Sequence, residues 1–414
     1  LFMPSNKISA VAQITDNLTL NAYYSLEWQR HRLPEQGTYF SPAPLSDNVE
    51  FLPFPPGVFP GPSAPFVPGY EGYNDEYEDD EFGFNIQYYI EDWGLETSFI
   101  YLNYTDKNLQ NVLAGSDTGQ FLEFASAGSE AAAGLLGAWN AFCEPLGFDC
   151  PNTLNAPYGS SNALEIGSAR WLFKEDLDLW AVAFSKEVAG ISFGLELTYR
   201  PDTPIVIGIG EGLGRLYNTP DWPDALAGLG LPTGDDLAQL LLGPDASAIS
   251  GDYFSYDSDN FLGPVGDVYT VIFNGVGLLQ DNGIWEGGAY IFEFTAQMMD
   301  KCTDDCFLKD DRIRKGNVFT TMDLVFRPTW YQVWPGTDMT GIFTLFYPLT
   351  QEKSPFTFAG DEESGSASVG AEFLVDQKWT FTARYNARFG PVNAGLGGLL
   401  KDRDNVSFTI KRTF

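Results

Sequence analysis

Apolar and polar residues alternate along this chain with a period of two. From Leu18 to Gln29, the positions Leu18, Leu20, Ala22, Tyr24, Leu26 and Trp28 share one parity, and Thr19, Asn21, Tyr23, Ser25, Glu27 and Gln29 share the other. A β-strand sends successive side chains to opposite faces, so this pattern predicts a strand with one oily and one polar face. The pattern recurs. Phe82, Phe84, Ile86, Tyr88 and Ile90 alternate with Gly83, Asn85, Gln87 and Tyr89. Ile191, Phe193, Leu195, Leu197 and Tyr199 alternate with Ser192, Gly194, Glu196, Thr198 and Arg200. Tyr290, Phe292 and Phe294 oppose Glu293, Thr295 and Gln297, and Trp379 to Phe389 alternates in the same way. In the closing stretch Val406, Phe408, Ile410 and Phe414 lie on one side and Ser407, Thr409, Lys411 and Thr413 on the other. Between Leu95 and Tyr104 a strand is predicted but its faces are not assigned by the pattern.

The connections alternate too. Tight turns are predicted at Asp16-Asn17, Asp92-Trp93-Gly94, Ala189-Gly190, Pro335-Gly336 and Asp376-Gln377. Between them lie large loops at about residues 30–80, 105–170 and 201–265. The first holds a proline-phenylalanine lip (Phe51, Pro53, Phe54, Pro55, Pro56 and onward), which excludes a strand there because proline cannot donate to a ladder. The second carries an Ala/Leu-rich helix over Ser129–Phe142, and the third a glycine-rich apolar run, Ile205–Leu216, and a short helix capped by Thr233.

Short turns on one side and long loops on the other predict an all-β fold: a transmembrane antiparallel β-barrel of the bacterial outer membrane, spanning 1–414 as a single domain, with long external loops. Roughly thirteen strands are counted. Such barrels normally have an even number, so an N-terminal part is expected to be missing, giving fourteen or more strands in the intact wall. Composition agrees. Aromatics make up 15% of 414 residues, as membrane-interface girdles require. No apolar run is long enough for a transmembrane helix. The slightly negative mean hydropathy suits a wall of which half faces water.

Charge and cysteines narrow the chemistry. A net charge of −33 argues against nucleic acid as a partner, since phosphates demand Lys and Arg. The expected surroundings are outer-membrane lipid and lipopolysaccharide. The close pairs Cys143/Cys150 and Cys302/Cys306 read as local disulfides of an oxidising compartment, because one histidine, His31, leaves no zinc set. No nucleophile elbow or phosphate loop accompanies them, so no enzyme and no catalytic residue are expected; Gly208–Gly214 lacks the lysine a phosphate loop needs. Asp252, Asp257 and Asp259 are candidate hard-oxygen calcium ligands on no recognisable loop spacing, with a solvated acidic cluster as the alternative; no other cofactor is implied.

The polar parity carries charges of both signs: Glu27, Glu196, Arg200, Glu293, Asp323, Arg327, Glu372, Arg384 and Arg388. These are the candidate lumen-facing residues, whether as a charged constriction, as an anchor for an internal loop, or as a self-neutralised polar wall. The large loops are unusually apolar for segments in water, and apolar patches mark binding sites or partners. The expected function is therefore an outer-membrane channel or transporter for hydrophobic or amphipathic small molecules. The alternative is a structural or interaction barrel whose loops dock a surface protein or filament.

Several stretches carry a resemblance. Met3-Pro4-Ser5-Asn6-Lys7-Ile8-Ser9, Thr15-Asp16-Asn17-Leu18, Glu27-Trp28, Arg32-Leu33-Pro34, Gly37-Thr38-Tyr39-Phe40-Ser41, Leu197-Thr198-Tyr199-Arg200-Pro201 and Lys401-Asp402-Arg403-Asp404 resemble a family of proteobacterial outer-membrane β-barrel proteins classed as a domain of unknown function. The resemblance implies a channel or transporter for lipophilic compounds. It also implies a genetic neighbour, a periplasmic lipoprotein similar to the carrier LolB, as a partner. It supplies no catalytic residues.

Overall fold

A computed structural model describes residues 5–32, 38–39, 69–73, 80–107, 111–115, 168–206, 215–218, 247–250, 263–304, 306, 309–310, 312–356, 360–391 and 400–413. The strands in chain order are β1 (Lys7–Thr15), β2 (Leu18–Ser25), β3 (Gly69–Tyr73), β4 (Phe82–Ile90), β5 (Leu95–Tyr104), β6 (Asn111–Gly115), β7 (Ser168–Leu172), β8 (Leu177–Val188) and β9 (Ile191–Pro204). They continue with β10 (Arg215–Asn218), β11 (Ser247–Ser250), β12 (Val265–Leu278), β13 (Gly287–Asp304), β14 (Val318–Trp334), β15 (Thr337–Pro348), β16 (Gly365–Val375), β17 (Trp379–Phe389) and β18 (Asn405–Arg412).

Thirteen of these form one sheet in the order β1-β2-β4-β5-β8-β9-β12-β13-β14-β15-β16-β17-β18. Every neighbouring pair is antiparallel, so the sheet is an uninterrupted meander. β1 and β18 are its two edges, each paired on one side only among the described residues.

Sequence chemistry sets the turns. Asp376 and Gln377 both have positive φ, 50° and 56°, and the Lys378 N–H donates to the Val375 carbonyl at 3.0 Å. Ala189 and Gly190, at 52° and 79°, do the same for β8 and β9. Two positive-φ residues make the tight turn whose twist matches that of the flanking strands. After β4, Glu91–Trp93 form a single 3₁₀ turn, stopped by Gly94 in the left-handed region.

Register now assigns the faces. Phe84 pairs with Tyr101, Phe99 with Val182, Tyr199 with Tyr269, Leu324 with Leu345, and Phe381 with Ile410. These side chains share one face, and rings of neighbouring strands touch across it: Phe193 stacks on Phe273 at 5.9 Å and Tyr101 lies 4.3 Å from Trp180. Phe84, Phe99, Phe273, Leu324, Phe343, Phe381 and Phe408 on this face are exposed. A contiguous exposed apolar belt of this extent is incompatible with water and is what lipid tails require. The wall is that of an antiparallel transmembrane β-barrel of the outer-membrane type. β5 is assigned by its partners: Ile100 pairs with Asn85 and Ala181, placing Glu96, Ser98, Ile100 and Leu102 on the face opposite the aromatic one.

Fully buried apolar side chains gather at the long-loop end instead. Ile205, Val206, Met299 and Ile313 form a small core, with Cys302 packed against it; Phe173, Leu177, Val268 and Phe319 are also buried near the strand ends on this side.

Three expectations change. β2 ends at Ser25, so Glu27 lies beyond the strand: the last ladder bonds run from the Ser25 N–H to the Glu81 carbonyl and from the Leu26 N–H to the Asn6 carbonyl, and the Asn6 N–H donates to the Glu27 Oε1 at 2.8 Å. The alternation predicts a strand over 288–299 with the second cysteine pair in the loop after it; β13 runs on to Asp304, which puts Cys302 in the strand. The large loops contain strands of their own, the first of them once the prolines end at Pro68. There β3 pairs in parallel with β7, and β7 in antiparallel with β6; β10 and β11 make a separate parallel pair. These strands are only four or five residues long, too short for alternation to reveal. The proline-phenylalanine lip, the helix over 129–142, the helix after Thr233, the run 208–214 and Phe414 lie outside the described residues.

Candidate functional site: the inner face of the wall

The face opposite the aromatic belt is the one a closed barrel turns inward. Following paired residues across it gives an unbroken rung: Tyr89, Glu96, Ser185, Gly194, Asn274, Glu293, Asp323, Phe346, Ser366 and Arg388. Acids occupy its middle and an arginine its far end. The adjacent rung reads Ser192, Val276, Ile291, Val325, Thr344, Ser368, Asn386 and Asn405. Val276 and Ile291 are 44% and 42% exposed on it.

Glu293 and Asp323 sit directly opposite each other on β13 and β14. Opposed residues of an antiparallel pair stand about 5 Å apart at Cβ, and like charges there repel. Among the described residues no lysine or arginine bridges either one; Glu293 accepts from the Thr295 hydroxyl at 3.5 Å. Farther along β14, Arg327 is engaged by Glu372 at 3.3 Å. Glu196 pairs with Ala183 and Ile272 and accepts from the Thr198 hydroxyl at 3.2 Å. Arg384 donates to the Ser368 and Thr344 hydroxyls at 2.7 and 3.2 Å, and the Arg388 N–H donates to Asp404 at 2.8 Å. Of the candidate acids, Glu196, Glu293 and Asp323 form no ion pair among the described residues and lie on β9, β13 and β14, while Arg384 and Arg388, likewise without an ion pair there, lie on β17.

Arg200 belongs elsewhere. It pairs with Val268 near the long-loop end, and its guanidinium lies 4.9 Å over the Phe356 ring. Phe356 belongs to the β15–β16 loop, which the chain ties to two others. The Val206 N–H donates to the Pro355 carbonyl at 3.0 Å, and the Asp310 N–H to the Val206 carbonyl at 3.1 Å. Arg312 bridges Asp310 and Asp361, both at 2.9 Å; Lys353 lies 2.7 Å from Asp310 and 3.8 Å from Asp361. The Ser354 hydroxyl donates to Gln297 of β13 at 2.6 Å. Burial pushes the Asp361 carboxyl up despite Lys353 and Arg312. Asp310 is held well below the usual carboxylate range: burial opposes this, but hydrogen bonds from Arg312 and Lys353 outweigh it.

The register that aligns Asn274, Val276, Ile291 and Val325 with the acids is absent from the sequence taken strand by strand, so these residues were missed. The ionic strap was missed because its members sit in loops with no periodicity. Cys302 and Cys306 are joined as expected. Cys143, Cys150, Asp252, Asp257 and Asp259 lie outside the described residues.

A family model described as "Protein of unknown function (DUF1302)" matches residues 1–414. The chain belongs to this family. That agrees with the resemblance carried by its opening and closing motifs. No curated protein matches this DUF1302 member. Among solved structures, a mutant of Rh. blastica porin is 8% identical, with a TM-score of 0.27, over 99% of this chain and 89% of that one. A mutant ferric enterobactin receptor from Pseudomonas aeruginosa, in complex with enterobactin, is 10% identical, with a TM-score of 0.31, over 92% of this chain and 40% of that one. Likenesses this distant add nothing to the argument from the ladder.

Proposed function

We propose that this chain forms the wall of an outer-membrane channel or transporter for hydrophobic or amphipathic small molecules. The observation that carries the reading is the arc of apolar side chains on the inner face. Ile100 and Leu102 on β5, Ile272 and Val276 on β12, Ile291 on β13 and Val325 on β14 all lie opposite the lipid belt. An interior that conducts only water and ions gains nothing from isoleucine and valine; a solute with an apolar body gains about 25 cal/mol for each Å² it buries there.

Reconstitution into proteoliposomes tests the reading. The expected result is ion conductance in planar bilayers together with faster entry of short alkyl solutes than of sugars of equal size. A sealed barrel that passes neither, or one that passes sugars faster, contradicts it.

A further inference from the structure

The two neighbouring rungs on β12, β13 and β14 differ in kind. One offers Val276, Ile291 and Val325; the next, two residues along each strand, offers Asn274, Glu293 and Asp323. The apolar rung is open, with Val276 and Ile291 both more than two-fifths exposed on a face that does not meet lipid. Immediately beside it stand two carboxylates in cross-strand register. Neither is bridged by a cation among the described residues, and the nearest arginine on β14, Arg327, is already held by Glu372. A wall that only needed polarity would have been more stable with one of the two acids replaced by a neutral or basic residue.

We infer that this arc is a binding site for amphipathic organic cations, with the alkyl body on Val276, Ile291 and Val325 and the ammonium between Glu293 and Asp323. The proposal rests on the channel reading and gives it a substrate class. Charge complementarity selects the occupant. An alkyl anion would meet two unscreened carboxylates, and a neutral alkane would leave them unpaired. A small inorganic cation would make no use of the apolar rung. The chain's charge of −33 adds long-range attraction for cations at the mouth.

The test uses the full chain in lipid nanodiscs and in planar bilayers, with hexyltrimethylammonium as the probe and tetramethylammonium, hexanoate and hexanol as controls. Titration calorimetry, corrected with empty nanodiscs, is expected to rank hexyltrimethylammonium at least tenfold tighter than each control. Glu293→Gln with Asp323→Asn, nearly isosteric changes, should abolish that preference while leaving hexanol unchanged. Ile291→Thr should erase the advantage of hexyl over methyl but keep the preference for cations. Equal binding of hexanoate, or no effect of the double substitution in protein that retains its conductance, overturns the site and leaves the channel reading intact. Selective binding without conductance keeps the site and removes the channel.

Discussion

Charges at the long-loop end and charges on the inner face follow opposite rules. At the loop end, Asp310, Arg312, Lys353 and Asp361 alternate in sign, lie within 2.7–3.8 Å of one another, and bridge the β13–β14 and β15–β16 loops. On the inner face, Glu293 and Asp323 have the same sign, oppose each other, and lack a bridging cation among the described residues. The first arrangement resembles a clamp, because every charge removed from water has a partner. The second gains no stability from its charges, and on the inference drawn above its role is to attract a cationic ligand. The same residue types hold loops in one place and offer a site in the other, and only the pairing separates the two.

The largest effect expected from breaking this contrast is at the clamp. Arg312→Met leaves the fully buried Asp361 with only Lys353, 3.8 Å away, and should cost about 2–3 kcal/mol locally, discounted for the partial exposure of Arg312. Amide exchange should quicken in 312–317 and 349–356 and stay unchanged at the β4–β5 turn; uniform quickening would mean that the clamp is not a local unit.

A pH titration separates the members of the clamp. Asp361 has a raised folded pKa, so its contribution is fully present below the unfolded value of about 3.9 and is lost as pH rises through the folded one. Asp310 has a lowered folded pKa, so its contribution is present above about 3.9 and is lost only as pH falls through the folded one. Protection of the clamp should therefore rise modestly on acidification from neutral and decline only in strong acid. Asp361→Asn should flatten the first phase; a steady fall from neutral pH onward contradicts these assignments.

The smallest effect is on the inner face. Asp323→Asn removes a cross-strand repulsion and should stabilise the wall by about 0.2–1 kcal/mol, read from urea unfolding in lipid. Destabilisation would show that the pair is structurally partnered and so not available to a ligand.

Much of the wall was legible from parity alone. In β4, β13 and β17 the alternation is clean, because each strand separates lipid from an interior and every residue has only two destinations. β2 was extended too far because Leu26 and Trp28 continue its period, although the strand ends at Ser25 and its ladder bonds stop with those to Glu81 and Asn6. Glu293 and Asp323 were both assigned inward from sequence, but their opposition depends on register across the loop between β13 and β14, which no single strand encodes. Arg200 shows the converse: its parity is inward, yet Phe356, far along the chain in the β15–β16 loop, decides its environment.

The central claim is that the aromatic parity meets lipid and the opposite parity meets water. Single cysteines placed in turn at Ile291, Phe292, Glu293 and Phe294, in a background with Ser at the four native cysteines, would carry nitroxide labels in reconstituted bilayers. The account predicts that labels at 292 and 294 collide with dissolved oxygen, while those at 291 and 293 collide with a water-soluble nickel chelate. Four labels with one common accessibility, or the reverse alternation, would contradict it.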